Sequence, residues 1–592
     1  MKTLLQSSIP EIKISGTSDA FRGYTEIKTL EDEVFLVTIK LQADKKQLPP
    51  VYKISWSEQA ADIHALWHPG ADRNKTFQAD WAEGFQSKNT SLAPVVSLYN
   101  MAGRNRLTFA FSDALNNLSI QAGMHEEDST FLCTITLFEE PMPEIDYYEA
   151  KLRIDRRNIA YYEALGGVSR WWETFPGFEP SSVPDIALQP MYSTWYSYHQ
   201  ELTATELEEQ SKLAKEIGCE SIIVDDGWQT DDNNRGYAYT GDWEVYTGKI
   251  PDMRKHVDAV HATGLKYMLW YSVPFIGKKS RIWDRFSGKL LGVIDGLDAG
   301  VLDPRYPEVR EYLIGIYERA VSEWDIDGLK LDFVDSFKLF PGHDGEAPEN
   351  RDYNSVPEAV DRLLTDVMLR VRKIKPDILI EFRQTYIGPL MRKYGNMFRA
   401  NDCPNDSIQN RIRTLDLRLL SGNTAVHSDM IMFNYKEPVE SAAMQLVNVI
   451  FSVPQISVRL EEIGEPYLEM IRFWLEFCKE HGETLLKGEL TPTQPELLFP
   501  LVRAKSSGKE IIALYANLVA VIEEAADQLI VVNGTYNEAT VVKCNRTLGR
   551  YELTVKDCCG RIVESRAMEL EEGLHEIAIP KAGAAFFTKL SV

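Results

Sequence analysis

Between about Pro190 and Leu490, short continuous apolar runs alternate with longer amphipathic segments that carry helix-capping residues, and that alternation is the signature of parallel βα units. The runs begin at MYSTWYS (Met191), SIIV (Ser221), LKYMLWYS (Leu265), GLKLDFV (Gly328), ILIEFRQ (Ile378), MFRAND (Met397), NTAVHSDM (Asn423) and QISVRL (Gln455). Eight parallel strands in about 300 residues fit a (β/α)8 barrel with loop insertions. In the first unit Thr205 and Glu208 form a candidate capping box. Leu207, Ala214 and Ile217 follow on one helical face, and Gly218 supplies the stop.

A chain of 592 residues is too long for one hydrophobic core. The segments outside the barrel have a different pattern. Up to about residue 180, alternating runs such as EVFLVTIKL, RLTFAFSDA and TFLCTITLF predict a β-sandwich. From about residue 495, EIIALYANL, QLIVVNG, RYELTVKD, LHEIAIP and AAFFTKL predict a smaller antiparallel β-domain. The expected domains are 1–180, 181–494 and 495–592.

The net charge of -24 argues against nucleic acid or an anionic membrane as the main partner, because both require basic patches. A neutral ligand fits better. Seven cysteines lie scattered without a CxxC pair or histidines at zinc spacing, so most are expected as reduced thiols and no metal is implied. The N-terminus MKTLLQSSIPEIKISG lacks the sustained apolar stretch of a signal peptide, and no segment approaches the ~20 apolar residues of a membrane span. A cytoplasmic location is the expectation. A homo-oligomer is compatible with the sequence, which does not specify an oligomeric state.

In such a barrel, catalytic side chains come from the C-terminal ends of the strands. After SIIV come Asp225, Asp226, Gly227 and Trp228. In GLKLDFV the period of two places Leu329, Leu331 and Phe333 on one face and Lys330 with Asp332 on the other, about 7 Å apart along the strand. An ammonium beside Asp332 favours its ionised form, as a glycosidic nucleophile requires, although a structural ion pair inside the barrel has the same sequence signature. Glu381 and Arg383 share a face in ILIEFRQ, and MFRAND ends in Arg399, Asn401 and Asp402. Retaining glycoside hydrolysis needs one carboxylate to attack and a second to protonate the leaving oxygen. Asp332 and Asp402 are candidates for that pair; a turn or helix-cap role for Asp402 is the plainer alternative.

These residues resemble glycoside hydrolase family 36, the α-galactosidase and raffinose-synthase family. VDDGWQ is similar to its DDGW motif, which implies that Asp225 and Asp226 hold sugar hydroxyls and that Trp228 builds the pocket. KLDFVD resembles its K-x-D strand, assigning hydroxyl binding to Lys330 and attack to Asp332, while RANDCPNDSIQNRIR resembles the segment that carries the acid/base, here Asp402. The resemblance spans the sandwich–barrel–β-domain order and is densest between about Pro190 and Leu460. It implies a retaining α-glycosidase without metal or organic cofactor, acting on a small oligosaccharide or glycoside.

Trp270 is similar to a family aromatic that faces the sugar, with simple packing in the barrel strand as the alternative, and Arg383 and Arg399 join the substrate-binding set. The chain departs from the family at EFRQTYIGP, where familiar α-galactosidases carry a Cys and a Gly-rich turn that contact the sugar; Arg383 with Glu381 is the candidate replacement. Asp242 and Trp243 in GDW also resemble a family feature, though a solvated loop fits them better. Asp429 is either a further ligand or a cap. QTDDNNRG suits a turn better than a calcium loop, and Cys403 suits an inert thiol better than a nucleophile. Trp56, Trp67, Trp81, Trp171 and Trp172 fit core packing better than an entrance to the barrel.

Rival activities are an α-N-acetylgalactosaminidase, another α-glycosidase, or a raffinose-synthase-like galactosyl transferase. A sugar-binding protein without turnover and a lyase or aldolase using Lys330 as a Schiff base lie further off.

Overall fold

The computed structural model describes residues 10–16, 18–340 and 349–590. The start of the N-terminal segment discussed above, residues 1–9, lies outside the described residues. Eight parallel strands close into a barrel in chain order: β1 (Met191–Ser193), β2 (Ser221–Val224), β3 (Lys266–Ser272), β4 (Gly328–Asp332), β5 (Leu379–Arg383), β6 (Met397–Arg399), β7 (Ala425–Ile431) and β8 (Val453–Ile456). All eight apolar runs contribute a strand. MYSTWYS is shorter as a strand than its pattern suggests, because Trp195–Tyr198 turns into a helical segment. The last strand starts two residues before the run, at Val453.

The helices follow from their patterns. α1 (Ala204–Glu216) buries Leu207 and Ala214, and Gly218 takes a positive φ just beyond its end. Its cap lies two residues earlier than expected: Thr203 accepts the Glu206 amide, so Thr203 and Glu206, not Thr205 and Glu208, form the start. α2 spans Pro307–Glu323. α3 (Val356–Ile374) is capped by Ser355 and buries Val356, Val360, Leu363, Leu364, Val367 and Val371, a stripe at helical period. α4 (Ser407–Arg418) is capped by Asp406.

Before the barrel, two six-stranded sheets pack face to face. Their core contains Trp56, Phe109, Phe131 and Ile154. The strand Val34–Gln47 alternates between buried and less buried residues over most of its length, as one face against a core demands. Of the five tryptophans read as core, Trp56, Trp67 and Trp172 are buried and Trp171 packs on the core, but Trp81 is 77 % exposed. After the barrel, a seven-stranded sheet beginning at Glu489–Pro492 packs with a three-stranded one. Among the described residues no helix is long and apolar enough to cross a membrane.

The barrel interior is layered. Its floor is apolar: Met191, Ile223, Met268, Leu379, Met397 and Ala425 form one buried cluster. Gly328 belongs to this crowded level, where a Cβ would come within 2.7 Å of Met268 and 2.8 Å of Leu379. Two residues further along the same strands the polar layer begins, with Asp225, Trp270, Lys330, Glu381, Arg399 and His427.

Candidate active site

The polar layer continues to the C-terminal strand ends. Lys330 on β4 extends to Asp225, just after β2, and their ion pair is 2.6 Å long with both side chains 4 % exposed. Asp226 accepts from Gln200 and Gln229, each at 2.7 Å. Burial, reinforced by the neighbouring Asp225 charge, pushes the Asp226 carboxyl up to about 6.

Asp332 closes β4 and is 6 % exposed. Its Oδ1 accepts from Arg383 Nε at 2.7 Å, the Phe333 amide at 2.8 Å and the Tyr386 hydroxyl at 3.0 Å. Among the described residues its Oδ2 accepts only the Trp270 indole N–H, at 3.2 Å. Burial alone would raise this carboxyl, but the charges of Arg383 and Lys330 outweigh it and hold Asp332 well below the usual carboxylate range. Phe333 takes a left-handed conformation, φ 62°, which a bulky residue adopts only when its surroundings enforce it. Here that conformation accompanies the hydrogen bond from its amide to Oδ1.

Asp402 follows β6, and its side chain is 47 % exposed. One oxygen accepts from Arg399 at 2.9 Å; the other has no protein donor among the described residues. Burial works against its charge, but Arg399, Lys330 and Arg383 outweigh it and lower the carboxyl. The guanidinium of Arg383 joins the two strand ends, since its Nε binds Asp332 while NH1 donates to Asn401 Oδ1 at 3.0 Å. It also lies over the Phe333 and Tyr386 rings.

Several candidate residues sit elsewhere than the pocket wall. Trp228 is fully buried behind the strands: its ring packs on Trp243, Tyr271 and Trp324, and its N–H donates to the Trp270 carbonyl at 3.0 Å. It therefore supports the wall without lining it. Arg399 is 1 % exposed and is engaged by Asp429 at 2.6 Å, Asp402 and the Ala400 carbonyl, with Glu381 at 3.7 Å. It holds the Asp402 loop rather than facing a ligand. Glu381 lies one level below Asp332, fully buried, with Gln455 donating to it at 2.5 Å. Trp270 faces the site through its bond to Asp332, beside Tyr237 and Phe333.

The loop after β2 is not solvated at GDW. Asp242 accepts the Arg281 and Ile282 amides, and Trp243 is 1 % exposed. QTDDNNRG forms turns, in which Asp232 accepts the Asn234 amide. Asp429 is neither a free ligand nor a helix cap: Arg399, the Cys403 amide and Tyr196 all donate to it. Burial pushes the Cys403 thiol up, away from the reactive thiolate.

Tyr386, Gln200 and Tyr196 did not emerge from the sequence, and Asn401 stands there as strand-end polarity without a role. Tyr386 and Asn401 follow strand ends that were already marked as charged, and polarity just after a strand was the available signal. Gln200 and Tyr196 come from the loop after β1, which carries no comparable mark. The sandwich also braces the site: Asp72 pairs with Arg413 at 2.9 Å, and Arg413 donates to the Asp402 carbonyl at 2.9 Å.

Residues 187–382 match the Melibiase family model. The α-galactosidase Mel36A of Lactobacillus acidophilus is 29 % identical over 162 residues, 26 % of this chain and 21 % of that protein. α-Galactosidase 1 of Pediococcus pentosaceus is 28 % identical over 166 residues, covering 26 % and 22 %. The sequence match thus spans about a fifth of the length of these curated relatives. Among solved structures, the Lactobacillus brevis α-galactosidase superposes with a TM-score of 0.64 at 13 % identity, covering 99 % of this chain and 86 % of that one. The family 36 α-galactosidase AgaA of Geobacillus stearothermophilus, in complex with raffinose, gives 0.61 at 13 % identity over 98 % and 87 %. Residues 187–382 are thus similar to the Melibiase family, and the chain throughout has the fold of the solved family 36 α-galactosidases, the family its strand-end motifs resemble.

Proposed function

We propose that the protein is a retaining α-glycoside hydrolase, an α-galactosidase that releases terminal α-galactose from small oligosaccharides by double displacement. One observation carries the reading: an ionised, nearly buried carboxylate, Asp332, is fixed at one strand end, while a second, Asp402, stands half exposed at another with one oxygen free of donors among the described residues. Asp332 attacks the anomeric carbon as Asp402 protonates the leaving oxygen; Asp402 then takes a proton from the water that releases the sugar. Lys330, Asp225 and Asp226 serve as hydroxyl contacts and Trp270 as an aromatic wall. The Geobacillus structures with raffinose and stachyose support oligosaccharides as the substrate class.

The proposal extends to domains at 1–180, 181–494 and 495–592 and to a cytoplasmic location; a homo-oligomer is compatible with it without being specified. A panel of aryl α-glycosides, with products followed for transfer as well as hydrolysis, tests the activity. Turnover of the α-galactoside with retained configuration, abolished in Asp332→Ala, is expected. Turnover of the N-acetylgalactosaminide instead would move the sugar assignment, and binding without turnover across the panel would remove the enzyme reading.

A further inference from the structure

The two oxygens of Asp332 are not equivalent. Among the described residues Oδ1 accepts three donors, Arg383 Nε, the Phe333 amide and the Tyr386 hydroxyl, within 3.0 Å, whereas Oδ2 has a single donor at 3.2 Å. A carboxylate oxygen has two lone-pair directions, so Oδ1 is saturated and Oδ2 retains a free pair. The Phe333 amide divides its one N–H between Oδ1 at 2.8 Å and the Tyr386 hydroxyl at 3.1 Å, which also holds Tyr386 in place. Its phenol is fully buried and its one proton points at Asp332.

We propose that Oδ2 of Asp332 is the attacking atom and that Tyr386, with Arg383, is a positioning residue whose grip on Oδ1 acts chiefly in the second step of the reaction. The inference rests on the retaining reading above. In the first step the free pair on Oδ2 forms the bond to the anomeric carbon, the bond to the leaving oxygen breaks, and that oxygen takes the proton of Asp402. The product is an ester in which Oδ1 is the carbonyl oxygen. In the second step water attacks, its proton goes to Asp402, and the carbon–Oδ2 bond breaks with its electron pair returning to the carboxylate.

A donor on Oδ1 stabilises negative charge on Asp332. That charge is complete in the free enzyme, partial in both transition states and absent in the ester. The Tyr386 hydrogen bond therefore stabilises the starting state of the first step more than its transition state. In the second step it stabilises the transition state more than the ester. Only interactions that strengthen toward the transition state accelerate a step. Removing the hydroxyl should slow deglycosylation while leaving glycosylation unchanged or faster.

The test is Tyr386→Phe, assayed with an aryl α-galactoside of good leaving group. Loss of one hydrogen bond to a charged group should lower kcat by roughly tenfold or more. KM should fall in parallel, because the ester accumulates. A burst of aryl alcohol approaching one equivalent, a hexose adduct on the peptide bearing Asp332, and acceleration by added methanol should accompany it. Arg383→Lys, which keeps the charge but loses the fixed fork, should show the same pattern more weakly. A folded Tyr386→Phe protein with lowered kcat, unchanged KM, no burst and no adduct would overturn the inference alone. A wild-type enzyme that neither turns over the glycoside nor forms an adduct would overturn the retaining reading and this inference with it.

Discussion

Lys330 and Asp225 lie 105 residues apart in sequence and form a buried ion pair of 2.6 Å across the interior of the barrel. Removing one member of such a pair leaves an uncompensated buried charge, at a cost of about 3–5 kcal/mol. Lys330→Met should lower the urea midpoint accordingly and raise KM for the glycoside more than it lowers kcat. An unchanged KM would remove Lys330 from the sugar contacts.

Asp402 should matter in proportion to the leaving group's need for a proton. General acid catalysis contributes about 10²–10⁴-fold, so Asp402→Ala should lose most on a natural oligosaccharide and least on an aryl glycoside of low leaving-group pKa. Equal losses on both would assign the acid role elsewhere.

The pH dependence follows from the two carboxyl environments. Arg383 and Lys330 outweigh burial at Asp332, whose carboxyl is held well below the ordinary value of about 4. The nucleophile is therefore ionised down to at least that pH. Asp402 is also lowered, with Arg399 outweighing burial, so the free enzyme loses the proton needed for the first step well below neutrality. For an oligosaccharide, kcat/KM should fall as pH rises from the acid range. For a glycosyl fluoride, which needs no protonation, that fall should flatten. Asp226, pushed up to about 6, should add a change in KM near that pH. A steep acid limb in kcat above pH 5 with the fluoride would contradict the assignment of Asp332.

Stability has its own acid dependence at Asp327, which accepts from His261 at 2.6 Å, the Tyr267 amide at 2.9 Å, and Lys266 and Lys375 at 3.1 Å each. Burial opposes its charge, but His261, the amide and the lysines outweigh it and depress the folded-state pKa. A depressed acid stabilises the fold above its unfolded value, about 3.9, and that contribution is lost as pH falls through the lower folded value. Asp327→Asn should therefore lower the urea midpoint at pH 7, with the difference from wild type shrinking below about pH 4. A difference independent of pH would show that packing, not charge, is involved.

The sandwich and the barrel share a buried charge pair. Lys75 lies 3.0 Å from Asp416 on α4, both about 1 % exposed, and the Trp67 indole donates to the same carboxylate at 2.7 Å. Lys75→Met should cost about 3–5 kcal/mol. A lowered thermal midpoint is the expected reading, and an unchanged one would show that water reaches Asp416 once the lysine is gone.

The barrel was legible because each strand is short, apolar and bounded, and because the register of two along β4 places Lys330 and Asp332 inside whatever the neighbours are. Strand-end polarity pointed to Asp225, Asp226, Asp332 and Asp402 for the same reason: the chain must carry its charges where the barrel opens. Sequence alone could not assign the work of each charge. Arg383 and Arg399 occupy equivalent places at adjacent strand ends, yet Arg383 holds the proposed nucleophile while Arg399 is spent on Asp429 and the Asp402 loop. Trp228 belongs to a family-like motif but packs outward, since the turn at Gly227 carries it behind β3, where Tyr271 and Trp243 leave space for it. Periodicity is local and fixes which face a residue presents. Partners come from strands tens or hundreds of residues away, so the hydrogen bonds that separate the two oxygens of Asp332 arise only once the barrel has closed.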